Sequence, residues 1–149
     1  DPGSKWAKRR AASFDRVLVD APCTGTGTWR RNPDARSRLA ERDLLELVDK
    51  QAGILEAAAR LVRAGGRLVY ATCSVLPQEN EAQVEAFLAA HPEFALVPLA
   101  QAWPEAAFLA GPPPCAGPYL RLTPRQHGTD GFFGAVLQRS GTEPAGGGG

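Results

Sequence analysis

The stretch Gly65-Gly66-Arg67-Leu68-Val69-Tyr70-Ala71-Thr72-Cys73-Ser74-Val75-Leu76-Pro77-Gln78-Glu79-Asn80-Glu81 decides how the rest of the chain is read. Its two glycines read as the stop of a preceding helix. Leu68 to Ala71 is a short apolar run of the kind that fills a strand buried on both faces. Cys73 follows at the carboxyl end of that strand. Pro77 then opens a helical pattern, at a position where its missing N–H costs nothing. In an open α/β sheet, chemistry gathers beyond the carboxyl ends of the strands, which is where Cys73 falls.

A second stretch has the same layout. Val17-Leu18-Val19 is an apolar strand that runs into Asp20-Ala21-Pro22-Cys23. If the two strands lie side by side and parallel, Asp20, Cys23 and Cys73 share one rim.

Working outward, Phe14 to Asp20 is the first expected strand, and residues 21 to 42 are Gly-, Pro-, Thr- and Arg-rich and read as a long loop. Asp43 begins the longest helix, with Leu44, Leu47, Val48, Ile54, Leu55, Ala58, Leu61 and Val62 at helical spacing. A second helix is expected from Pro77 to Ala90, with Val84, Phe87 and Leu88 on one face, followed by a strand from Phe94 to Leu99. Residues 100 to 118 give no clear signal. Tyr119 to Leu122 and Gly131 to Gln138 read as the last strands. Alternation of strands and helices predicts parallel pairing with right-handed crossovers. The final strand arrives without a helix and can insert antiparallel. Three segments are expected: a basic, irregular lead-in over 1–13, a domain over 14–140, and a disordered tail over 141–149.

The chain has 149 residues and a formal net charge of +1. That size fits one domain with a real core. The balance gives no global pull toward nucleic acid, but Lys5, Lys8, Arg9 and Arg10 cluster, and so do Arg30, Arg31, Arg36 and Arg38. The three cysteines, Cys23, Cys73 and Cys115, lack C-x-x-C spacing. Neither a disulfide framework nor a metal site is expected, and a reducing, cytoplasmic setting suits them. No stretch is apolar enough to span a membrane.

Each motif also has a bland reading. Cys73 could be a buried thiol acting as a small apolar residue. Its place before a helix start favours a thiolate instead. Asp20 could simply cap a turn whose bend Pro22 fixes; alternatively it is a carboxylate held rigid beside a planar substrate. Cys23-Thr24-Gly25-Thr26-Gly27 looks like half a dinucleotide fingerprint, but Arg30 holds the third glycine position and Pro33 follows closely, so no phosphate-binding helix starts there. Trp29, Arg30, Arg31 and Asn32 form either a solvated loop or an RNA-contacting cluster, in which Arg meets phosphate and the aromatic ring stacks on a base. His127 and Asp130 suggest a Ser-His-Asp set, but no G-x-S-x-G elbow accompanies them. His91 reads as a surface cap.

Taken together, three motifs are recognisable. Asp20 to Gly27 resembles the fourth motif of the Sun/Fmu family of RNA cytosine-5 methyltransferases, in its RsmB-type branch. Ala71-Thr72-Cys73-Ser74-Val75-Leu76-Pro77-Gln78-Glu79-Asn80-Glu81 resembles the sixth, and Gly128-Thr129-Asp130-Gly131-Phe132-Phe133 resembles the closing motif. The resemblance covers most of residues 14 to 139. It implies a class I, Rossmann-like methyltransferase sheet that uses S-adenosylmethionine on RNA, with ribosomal RNA favoured over transfer RNA. It implies that Cys73 attacks cytosine C6, that Cys23 assists release, and that Asp20 supports the base at N3 where cofactor and base meet. Asp20 and Pro22 are then the cofactor-side residues, and Trp29 to Asn32 the RNA-side residues. Nothing before Phe14 matches the family's glycine-rich cofactor turn. The chain is therefore expected to be the carboxyl-terminal half of the catalytic domain, with a raw sheet edge at its first strand. The alternatives are a non-catalytic RNA-binding module of the same fold and a dinucleotide-binding protein.

Overall fold

The computed structural model describes residues 4–26, 41–103, 116–123 and 130–141. The elements, in chain order, are α1 (Lys5–Arg9), β1 (Phe14–Asp20), α2 (Glu41–Ala59), β2 (Val62–Thr72), a 3-10 turn (Pro77–Glu79), α3 (Glu81–Ala90), β3 (Phe94–Val97), α4 (Leu99–Ala102), β4 (Leu120–Leu122) and β5 (Phe132–Arg139).

The sheet order is β1-β2-β5-β3, and β4 also pairs with β5. β1 and β2 are parallel, with Val17 opposite Leu68 and Asp20 opposite Ala71. β5 runs antiparallel between β2 and β3, as its arrival without a helix predicts. β3 meets the carboxyl half of β5 and β4 its amino end, so the two short strands share one edge of β5. β1, β2 and β3 thus point the same way, and their carboxyl ends form one rim.

Alternation sorts the sheet into two faces. Val19, Leu68, Tyr70, Phe133, Ala135 and Leu137 are buried and join Leu55, Ala58, Val84 and Phe87 from α2 and α3 in one core cluster. A fully buried Leu or Phe of this kind contributes about 1.5–3 kcal/mol relative to an exposed one. The opposite face is more open: Leu18 is 69% exposed, and its partner Val69 is only half-buried. The apolar run Leu68 to Ala71 is therefore not sealed on both faces as expected, because α2 and α3 share the one core that the described residues form.

The glycines also differ from expectation. α2 ends at Ala59, and Gly65 and Gly66 lie inside the eleven-residue β2. They sit where the β1–β2 register slips, between Phe14 opposite Val62 and Arg16 opposite Arg67. A Cβ on Gly66 would lie 2.9 Å from Val62 Cγ1, 3.0 Å from the Arg63 carbonyl oxygen and 3.1 Å from that of Asp15. The glycine serves close backbone approach at a bulge rather than a helix stop.

Other boundaries shift for local reasons. The lead-in is helical over α1, because Ser4 caps it: its hydroxyl accepts the Ala7 N–H at 3.0 Å, and Lys8 and Arg9 complement its carboxyl end. α2 already includes Glu41 and Arg42, ahead of the expected start at Asp43. The helix expected over Pro77 to Ala90 is broken at Asn80 (φ −112°, ψ −106°) into the 3-10 turn and α3. The strand from Phe94 stops at Val97, before Pro98, and Leu99 opens α4. The tail lies outside the described residues beyond Gly141.

Candidate active site

Two loops leave the rim from adjacent strands. The first continues the ladder by one bond, from Ala21 N–H to the Ala71 carbonyl at 3.0 Å, and then turns through Pro22 to Cys23. Gly25 follows with φ +70°, a left-handed conformation that glycine adopts without strain. The second loop is Cys73 to Leu76. The sulfurs of Cys23 and Cys73 lie 3.3 Å apart, within hydrogen-bond range for a thiol pair, and neither is in a disulfide. The sheet register thus brings together two of the predicted residues across 50 positions of sequence.

Burial pushes the Cys23 thiol up to about 12. The hydrogen bond to Cys73 adds to the rise, and backbone N–H groups of Gly25 and Cys73 oppose it. Cys23 therefore keeps its proton at neutral pH and can donate it to the Cys73 sulfur.

The expected source of thiolate stabilisation at Cys73 is not what the structure shows. The N–H groups after it are engaged by hydroxyls: Ser74 N–H donates to Thr72 Oγ1 at 3.2 Å, Val75 N–H to Thr26 Oγ1 at 2.9 Å and Leu76 N–H to Ser74 Oγ at 3.0 Å. α3 starts only at Glu81. The Cys23 thiol is the partner that touches the Cys73 sulfur.

Beneath the cysteines lies a buried polar layer that motif reading did not resolve. Glu79, Asn80, Ser74 and Thr72 are each 1% exposed or less. Glu79 Oε1 accepts the Thr24 N–H at 2.8 Å and Gln51 Nε2 at 3.1 Å. Glu79 Oε2 accepts Thr24 Oγ1 at 2.7 Å and the Ser74 hydroxyl. Gln51 also donates to the Pro22 carbonyl at 2.8 Å. Asn80 accepts from Thr72 Oγ1 at 2.6 Å and donates to the Ser74 carbonyl at 2.8 Å, bridging the second loop. The Tyr70 hydroxyl donates to the Glu79 carbonyl at 2.5 Å, and burial raises its pKa further above the ordinary phenol range. Gln51 carried a signal: it sits at core spacing on α2, four residues before Leu55, and is wholly buried.

Asp20 ends β1 at the rim, opposite Ala71 and two residues short of the level of Cys73. Asp20 and Pro22 are both exposed. Trp29, Arg30, Arg31 and Asn32 lie outside the described residues, as do Cys115 and His127. His91 caps the carboxyl end of α3, its N–H bonded to the Phe87 carbonyl at 2.9 Å, and its ring is also held by Glu56 at 2.7 Å and Glu93 at 2.9 Å and stacks on Phe87. A cleft of about 490 Å³ sits at the opposite rim, lined by Lys8, Arg60, His91, Glu93 and Arg139 among others. It is remote from both thiols, and the carboxyl rim remains the candidate site. No described helix is long and apolar enough to cross a membrane.

A family model described as 16S rRNA methyltransferase RsmB/F matches residues 3–138. The chain is 43% identical over 131 residues to ribosomal RNA small subunit methyltransferase B of Sodalis glossinidius, covering 88% of this chain and 27% of that protein. It is 40% identical over 135 residues to the protein of the same name from Pectobacterium atrosepticum, covering 91% and 28%. Among solved structures, PH0851 is similar at a TM-score of 0.74 and 43% identity, over 87% of this chain and 27% of that one. NSun6 from Pyrococcus horikoshii, solved with SFG, is similar at 0.62 and 29% identity, over 85% and 30%. The chain therefore spans roughly a quarter to a third of the length of these relatives.

Proposed function

The chain belongs to the RsmB/F family of 16S rRNA methyltransferases, and from that premise we propose that it carries the reacting groups of an S-adenosylmethionine-dependent RNA cytosine-C5 methyltransferase, with ribosomal RNA as substrate. The observation that carries the reading is the 3.3 Å approach of two thiols at the carboxyl ends of adjacent parallel strands.

Cytosine C5 is a poor nucleophile until a sulfur adds to C6. Cys73 is the attacking group, as the resemblance of residues 71–81 to the family's sixth motif implies, and the Cys23 thiol, pushed up by burial, lies beside it. Addition places charge on the ring, and a proton taken up at N3 from solvent relieves it; the Asp20 carboxylate, exposed on the same rim, is the group that accepts a hydrogen bond from that N3–H. S-adenosylmethionine, when bound, supplies the electrophilic methyl group that C5 takes. Asp20 and Pro22 would hold its base-side end. They fit that part of the task, since both are exposed and lie in the segment of the rim that leads into Cys23. Release requires transfer of the C5 proton to a water molecule acting as base at this exposed rim and scission of the Cys73 Sγ–C6 bond, whose electrons leave on the Cys73 sulfur. The protonated Cys23 thiol donates to the departing sulfur and so assists that step. A base must leave its stack to reach this rim, and Trp29, Arg30, Arg31 and Asn32 supply the stacking and phosphate contacts.

The test uses the whole protein with RNA and cofactor on a denaturing gel. Cys73→Ala abolishes both methylation and any covalent RNA adduct. Cys23→Ala stalls after attack, so protein linked to RNA accumulates. The opposite pattern reverses the two roles. Unchanged methylation in both variants removes the two thiols from the chemistry, and a wild-type protein that binds RNA without methylating it leaves an RNA-binding module of the same fold.

A further inference from the structure

Glu79 joins the two thiol loops through one buried side chain. Thr24, the residue after Cys23, gives it both its N–H and its hydroxyl, at 2.8 and 2.7 Å. Ser74, the residue after Cys73, gives it a hydroxyl. Gln51 gives it an amide N–H at 3.1 Å, and the same amide holds the carbonyl of Pro22, the residue before Cys23. Glu79 is wholly buried, and no ion pair among the described residues includes it. A carboxylate accepts and does not donate, and all four of these partners are donors. Burying such a group is costly unless its bonds are complete, and apolar contacts could hold two loops together without that cost.

We propose that Glu79 is a positioning residue: its carboxylate clasps the Cys23 loop to the Cys73 loop and sets the sulfur–sulfur separation on which attack and release depend. The use made of that separation rests on the methyltransferase reading above; the clasp itself does not. Thr26 extends it, with its hydroxyl 3.2 Å from Ser74 Oγ and accepting the Val75 N–H.

The sulfur–sulfur distance is read directly by oxidation. Diamide takes up the two thiol hydrogens, is reduced to the hydrazine, and leaves a Cys23–Cys73 disulfide. The linked peptide pair is quantified by mass spectrometry over time, in the whole protein. Glu79→Gln keeps the shape but turns an N–H pair toward four donors. It is expected to close the disulfide at least ten-fold more slowly than wild type, with folding checked by thermal melting. Thr24→Val removes one of the two Thr24 bonds and is expected to slow closure two- to five-fold. In the methylation assay, Glu79→Gln lowers kcat ten-fold or more and leaves KM for RNA within two-fold. A folded Glu79→Gln protein that closes at the wild-type rate overturns the proposal. If that variant does not fold, wild-type closure in Thr24→Val overturns it. Slower closure with unchanged kcat overturns it as well, because the clasp then positions nothing that turnover needs. A wild-type protein that methylates no RNA sinks the methyltransferase reading, while the closure rates still decide the clasp.

Discussion

Alkylation of Cys23 offers a quantitative check on the thiol pair. Burial first, and the hydrogen bond to Cys73 second, lift its pKa from an ordinary 9.0 to about 12. At pH 8 a thiol of pKa 9 is roughly one-tenth ionised, and one of pKa 12 about one part in ten thousand. The more basic thiolate is also the better nucleophile. A Brønsted slope of about 0.4–0.5 returns a factor of roughly fifteen to thirty. Cys23 should therefore react with iodoacetamide about thirty- to sixty-fold more slowly than N-acetylcysteine at pH 8. Timed quenching and peptide mass spectrometry follow Cys23 separately from the other thiols. The pH profile separates ionisation from simple shielding. A shielded but ordinary thiol levels off above about pH 9, whereas Cys23 keeps climbing about ten-fold per pH unit through pH 10. Cys73→Ala removes the hydrogen bond and the neighbouring charge but not the burial, so Cys23 should speed up several-fold and stay slower than the free thiol. A wild-type Cys23 rate within a few-fold of N-acetylcysteine would refute the reasoning.

Two further outcomes rest on parts of the fold away from the thiols. Gly66→Ala forces a methyl group against two backbone carbonyls, at a cost of about 1–3 kcal/mol. For a chain of this size that lowers Tm by roughly 3–10 °C, and a melt within 1 °C of wild type would show that the bulge can relax. At His91, burial alone would lower the pKa, but hydrogen bonds and charge from Glu56 and Glu93 outweigh it and raise the folded value above 6.5. The contribution is complete below pH 6.5 and is lost as pH rises through that raised value. For Glu93, burial is outweighed by His91, and the lowered folded value makes its contribution full above 4.5 and lost as pH falls through that lowered value. The cluster therefore stabilises most between those limits. From pH 6 to pH 8 the urea midpoint should fall more for wild type than for His91→Gln, and equal falls would remove His91 as the cause.

What sequence alone revealed, and what it missed, divides by range. Val17 to Val19 and Leu68 to Ala71 announce strands through local apolar runs, and two motifs of like layout put Cys23 and Cys73 on one rim; β1–β2 pairing then brought their sulfurs together. Gly65 and Gly66 misled because paired glycine after a helical pattern usually marks a stop. Here pairing across to β1 overrides that local preference. Glu79 stood inside the quoted motif, yet nothing local reveals that it bonds Thr24, 55 positions earlier, or Gln51, 28 positions earlier. Such polar layers are set by tertiary packing. The one local trace is a glutamine at a core position of α2.

The place of β5 in the sheet bears on how the chain is made. A nascent chain that has not yet reached Phe132 holds β1, β2 and β3 but lacks the strand that lies between β2 and β3. Until then Leu68 and Tyr70 have no Leu137 or Ala135 beside them, and β3 lacks the strand it pairs with among the described residues. The last contacts to form are also long-range, and closing such loops is slow. During synthesis the chain thus exposes strand edges and apolar side chains for as long as translation takes to reach residue 139. That interval is when exposed edges and apolar surface of this kind are open to wrong pairing and aggregation.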